Sequence, residues 1–157
     1  MSETAVGGVK RVVAVRLEPG EDLLGGIQEA CERHGIKHGA VVSGIGSLRR
    51  ANFCTPVELP ETKFGYGYSE PTTMEGPIEL IAVSGVIGEG EKGETLLHIH
   101  CCFGDPVGNS YAGHLIEGNP ILATADLVIE EFSGIRMERR FNKEMGLYLV
   151  HPTQASP

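Results

Sequence analysis

Leu97-His98-Ile99-His100-Cys101-Cys102-Phe103 runs into Gly104-Asp105-Pro106-Val107-Gly108-Asn109 and leaves through Ser110-Tyr111-Ala112-Gly113-His114. The outer pieces read as strands and the middle piece is turn chemistry, so the stretch predicts an antiparallel hairpin. Side chains two apart on a strand share a face, so His98 and His100 project together and Cys102 continues their row. Residues paired across an antiparallel hairpin have a constant index sum, here about 214 if the turn centres near Val107. His114 then lies across from His100 and diagonal to His98. One extra residue in the turn would send His114 to the other face.

Three imidazoles on one face suit one divalent ion. Neutral imidazole nitrogen is a borderline-soft donor that binds zinc at roughly 2.0–2.1 Å. Copper, nickel and iron accept the same donors. Three protein ligands leave a fourth position for water or a substrate oxygen. Cys102 as a fourth ligand would close the site and favour a structural role. Glu117, three residues after His114, is the nearest carboxylate and the candidate catalytic residue, as a general base. On a regular strand it faces away from His114, unless Gly118 marks a bulge. Asp105 belongs to the turn. The same residues also admit a plainer reading, in which His98 and His100 are half-exposed sheet side chains. Cys101 and Cys102 then read as small buried hydrophobes, Tyr111 as a packed sheet residue, and His34, His38 and His151 as solvent-facing.

Around the hairpin the pattern is strand-rich. Strands are predicted at 10–17, 38–45, 48–55, 77–87, 95–103, 110–117, 121–132, 135–141 and 147–150. Gly44-Ile45-Gly46 between two of them suggests a bulge or bend. Residues 56–76 read as a long loop or an edge hairpin around 64–68. One helix is predicted at 21–34. Glu21 and Asp22 open it, Leu23, Leu24, Ile27, Ala30 and Cys31 recur at helical spacing, and Gly35 ends it. The fold class is therefore α+β, a twisted, mainly antiparallel sheet with one main helix packed on it. The expected organisation is a flexible lead at 1–8, one domain at 9–150 and a disordered tail at 151–157.

Composition narrows the function. The 157 residues carry a formal net charge of -8, whereas a duplex-binding domain normally shows a basic footprint. The basic clusters at Arg49-Arg50 and 136–140 read as solvated strand edges. Ser2-Glu3-Thr4 is polar with no apolar run behind it, so no secretory signal is expected. No stretch approaches the roughly 20 apolar residues of a membrane span. Cys31, Cys54, Cys101 and Cys102 lack the spacing of a disulfide framework or zinc ribbon, which predicts a reduced, cytoplasmic setting. There is no phosphate-binding loop and no nucleophile elbow.

Several motifs together resemble one known family. They are Arg16-Leu17-Glu18-Pro19-Gly20-Glu21-Asp22 with the helix after it, Val42-Ser43-Gly44-Ile45-Gly46-Ser47-Leu48, and the segment 76–85. Leu97-His98-Ile99-His100, Gly113-His114-Leu115-Ile116-Glu117-Gly118 and the segment 124–132 continue the series. In this order they are similar to the plants-and-prokaryotes-conserved (PPC) domain, across residues 9–150. The resemblance implies an antiparallel sheet with one main helix and assembly as a homotrimer. It also implies a metal site near a subunit boundary, at the positions of His98, His100 and His114. Plant members carry a basic Arg-Gly-Arg-Pro hook ahead of the domain, which this sequence lacks. Gly76-Pro77-Ile78-Glu79-Leu80-Ile81 stands where the plant domain has Gly-Arg-Phe-Glu-Ile-Leu. Cys102 stands where relatives often have serine, so a cysteine ligand is not implied. The expectation is a homotrimeric zinc-binding domain with an open three-histidine site for a small molecule, as a hydrolase or lyase in its sharper form. A DNA-associated or protein-assembly module without catalysis is the alternative.

Overall fold

The computed structural model describes residues 2–155. The chain forms β1 (Gly8–Leu17), α1 (Leu23–His34), β2 (Gly39–Cys54), β3 (Pro56–Glu58), β4 (Tyr66–Tyr68) and β5 (Thr72–Glu89). It continues with β6 (Thr95–Gly104), β7 (Ser110–Leu115), β8 (Ile121–Ser133), β9 (Ile135–Asn142) and β10 (Leu147–Gln154). Eight strands make one sheet in the order β1-β8-β2-β7-β6-β5-β9-β10, with β2 also pairing β5; β3 and β4 form a separate small sheet. The large sheet is mixed, because β5 and β9 run parallel where Glu89 meets Glu138. The class is α+β, with the helix a minor part. Among the described residues no helix is long and apolar enough to cross a membrane.

The period of two along each strand divides the sheet into two faces. Directly paired residues share a face. One cross-strand row runs Val13, Ile129, Val41, Gly85, Ile99. Ile129, Val41 and Ile99 are buried in the core, and Val13 packs against it. The neighbouring row runs Val12, Glu130, Ala40, Val86, His98 on the outer face. Helix α1 covers the inner face with Leu23, Ile27, Ala30 and Cys31. Its end is set by Gly35, at φ 64°, a left-handed conformation that glycine adopts without a Cβ penalty. Glu21 and Asp22 stand ahead of the helix rather than in its first turn. Asp22 is the N-cap and accepts a hydrogen bond from the Gly25 amide at 3.0 Å.

Strands β5, β6 and β7 curl so that β7 returns to the end of β2, where Phe53 pairs with Leu115 and Cys54 with His114. Phe53 and Phe103 fill the space inside the curl with ring centroids 5.2 Å apart. Gly113 permits this closure: a Cβ there would lie 2.6 Å from the Phe53 ring and 2.7 Å from the Cys54 carbonyl oxygen.

Several expectations change. The strands predicted at 38–45 and 48–55 are one strand, β2, whose register shifts around Val41–Ser43 and Gly46–Leu48 bend it without breaking it. Of the two readings of 56–76, a long loop or an edge hairpin around 64–68, the hairpin is the one found: β3 pairs with β4, and β5 already begins at Thr72. Of the tail predicted as disordered at 151–157, residues 151–154 instead continue β10, pairing residue by residue with β9, and 156–157 lie outside the described residues. Its physical anchor is Gln154, whose side-chain amide donates to the Val6 and Gly134 carbonyls and accepts from the Val6 amide. The same bonds hold the expected flexible lead at Val6. His38 and His151 do not simply face solvent. His38 Nδ1 accepts from the Met137 amide at 3.1 Å, and His151 Nδ1 lies 2.5 Å from Glu3 Oε2. His34 is exposed, as predicted.

A polar knot ties the helix entry to the sheet. Asn119 is fully buried. Its side-chain oxygen accepts from the Asn52 amide at 2.6 Å, and its side-chain nitrogen donates to the carbonyls of Asn52 and Ile116. Asp22 accepts from the amides of Gly118 and Asn119 with its second oxygen. Asn119→Ala would strand buried backbone groups with no partner. Its expected cost is on the order of 3 kcal/mol, read as a lower denaturant midpoint at unchanged slope.

Candidate metal centre

The register of the β6–β7 hairpin is the predicted one, with His100 paired to His114 and Cys102 to Ala112. The turn explains it. Asp105 accepts hydrogen bonds from the amides of Val107 (3.0 Å) and Asn109 (2.8 Å) and from the Asn109 side chain (2.8 Å). Gly108 supplies the left-handed step at φ 92°. These bonds hold the Asp105 carboxyl below its usual range. Asp105 is thus a turn residue with its acceptors in use.

His98 and His100 lie exposed on β6, and His114 is half-buried on β7. Their ring centroids are 5.0, 5.1 and 5.4 Å apart. One potential ligand atom from each lies within 4.8 Å of the others. Nε2 of His98 and Nε2 of His100 are 3.1 Å apart. Two imidazoles sharing one tetrahedral zinc at 2.0–2.1 Å would place their nitrogens roughly 3.3–3.4 Å apart. The observed spacing therefore fits a shared ion with little adjustment.

Electrostatics point the same way. Burial, and then the neighbouring His100, push the His98 pKa below its ordinary 6.5. Burial, then His98 and His100, lower His114. Neutral rings keep the lone pairs that a metal needs.

Other candidates stand apart. Cys102 is half-buried on the histidine face, yet its sulfur is not among the converging atoms. Glu117 lies beyond the end of β7 in an exposed loop, with its backbone carbonyl held by the Asn52 side chain. Its carboxylate is likewise outside the convergent group. Tyr111 pairs with Phe103 on the opposite face of the sheet. Tyr68 is the residue that sequence reasoning missed. Its hydroxyl is 3.3 Å from His114 Nδ1, and its ring lies 4.7 Å from the imidazole, tilted by 32°. Burial raises its pKa, so the phenol stays protonated. No spacing rule could link two residues 46 apart in the chain.

Comparison with known proteins places this arrangement. Residues 4–133 match the Plants and Prokaryotes Conserved (PCC) domain. A structure described as a metal-containing protein from Archaeoglobus fulgidus superposes with a TM-score of 0.79 at 27% identity, covering 94% of this chain and 98% of that one. A plant- and prokaryote-conserved protein from Pyrococcus horikoshii gives a TM-score of 0.76 at 28% identity, covering 93% and 96%. The bifunctional protein GlmU of Synechococcus sp. (strain JA-3-3Ab) is 28% identical over 144 residues, which are 92% of this chain and 21% of that protein. The chain thus spans about a fifth of the length of that curated relative. The match extends over most of the chain, and the chain belongs to the Plants and Prokaryotes Conserved domain family.

Proposed function

We propose that this domain holds one divalent transition metal ion, zinc in first place, between His98, His100 and His114, with a coordination position left for a small oxygen-bearing ligand. The observation that carries this reading is the convergence of three imidazole donors on one sheet face, two of them 3.1 Å apart. The relative from Archaeoglobus fulgidus described as metal-containing supports it. A bound ion would supply Lewis acidity toward a ligand oxygen. The chain's own part is to present neutral nitrogens in fixed directions from two paired strands. Glu117, exposed in the loop after β7, is not one of the gathered metal donors, and its role as general base belongs to the catalytic form of this proposal.

Assembly as a homotrimer belongs to the same proposal. The outer face that carries the histidines also exposes Val12 and Ile45, at 57% and 58%. Apolar exposure of this kind favours coverage by a second copy. A DNA-associated module is the weaker reading. In the second arginine cluster, Arg136 pairs with Glu89 and Glu138, Arg140 pairs with Glu138, and Arg139 lies over the Tyr148 ring. Little free positive charge is left there for phosphates.

Elemental analysis of untagged protein purified without chelator should give about one zinc per chain. His98→Ala and His100→Ala should each lose it while keeping the fold. Metal-free wild type that takes up no zinc on titration would sink the reading. Sedimentation should show about three copies of the 16.8 kDa chain.

The pH dependence has a defined sign. The folded pKa values of His98 and His114 lie below 6.5. In metal-free protein the unfolded chain therefore takes up these protons first. The stability linked to these rings is complete above pH 6.5 and is lost as pH falls through their lowered values. Zinc competes for the same lone pairs, so its affinity should hold level above about pH 7 and fall as pH drops through the lowered pKa values of these rings. Titration with a competing chelator at stepped pH checks this, and an affinity independent of pH would contradict it.

A further inference from the structure

The second ring nitrogen of His114 is engaged by a group the family match does not explain. His98 and His100 meet each other through Nε2. Among the described residues, His114 alone of the three has a side-chain partner at Nδ1, the Tyr68 hydroxyl at 3.3 Å. The backbone builds this contact. Cys54 at the end of β2 pairs with His114. The next residue, Thr55, is bonded to Ser69 twice: the Ser69 amide donates to the Thr55 carbonyl at 2.8 Å, and the Thr55 amide donates to Ser69 Oγ at 3.2 Å. Pro56 then pairs with Tyr68. The small β3–β4 sheet is therefore rooted one residue beyond the partner of His114, and Tyr68 is carried back over the imidazole.

A neutral imidazole has one proton and two nitrogens, and the hydrogen bond at one nitrogen decides which keeps the lone pair. We infer that Tyr68 is a positioning residue for His114: its phenolic oxygen accepts the Nδ1 proton and so leaves Nε2 with the lone pair that binds the ion. This rests on the metal reading of the three histidines. The ring contact at 4.7 Å adds a fixed orientation, but packing alone would not select a tautomer. Tyr68→Phe separates the two, since it keeps the ring and removes the oxygen.

The test has two arms. Long-range proton–nitrogen correlation spectra of metal-free wild type, with the His114 signals identified by their loss in His114→Ala, should show the proton on Nδ1. In Tyr68→Phe the His114 ring should shift toward the Nε2–H form. The proton on Nε2 in wild type, or a pattern unchanged in Tyr68→Phe, would overturn the inference. In the second arm, competition with a chromophoric chelator should show zinc bound about tenfold or more weakly by Tyr68→Phe. Tyr66→Phe, which removes a hydroxyl from the same strand, should bind like wild type. Equal affinities of Tyr68→Phe and wild type would also overturn it. Wild type that binds no zinc would defeat the metal reading, while the first arm would still decide the contact between Tyr68 and His114.

Discussion

A one-residue slip between β6 and β7 would carry His114 to the face occupied by Phe53 and Phe103 while leaving His98 and His100 in place. The site therefore depends on hairpin register before it depends on any metal chemistry. That register is fixed from both ends. At the turn, three hydrogen bonds to the Asp105 side chain set the number of residues between the strands. At the far end, β7 leaves β6 and pairs with β2, so His114 has His100 on one side and Cys54 on the other. Gly113 is what allows that approach, because any Cβ would collide with Phe53. The glycine beside the histidine is thus part of how the histidine is aimed.

The two faces of the sheet do different work. The inner rows are apolar and buried under α1, and each fully buried aliphatic side chain there contributes roughly 1.5–3 kcal/mol. The outer rows are mixed and half-exposed. Three imidazoles in the core would need partners for every ring nitrogen or would be desolvated at considerable cost. On the outer face they stay partly hydrated, while burial and then the neighbouring rings lower the basicity of His98 and His114. Asn119, the fully buried polar side chain, has both its oxygen and its nitrogen engaged with backbone groups.

What sequence shows well here is local. Alternation in 97–103, the turn residues after it and the two-residue spacing of His98 and His100 were enough to set the hairpin and its pairing. The helix and its glycine stop were legible for the same reason. What was missed depends on distant partners. Asn119 meets Asn52 across 67 residues, Tyr68 meets His114 across 46, and Val6 meets Gln154 across 148. Gly44 and Gly46 announce a bend in sequence, yet only β8 shows that pairing continues through it, while β5 lets go after Val41 and pairs again from Gly46. The tail beyond His151 contains two prolines and polar residues, which read locally as disorder. As far as Gln154 its order comes from β9, whose pairing register it completes.

The position of the histidines on the outer face ties the two halves of the proposed function together. His98 ends the row that runs through Val86, Ala40, Glu130 and Val12. A second copy that covers the apolar part of this face would also withdraw water from the imidazoles. A divalent ion among neutral rings adds positive charge to a chain of formal net charge -8, and so eases the approach of a second acidic copy. If both events use this face, each must shift the other's equilibrium by the same factor.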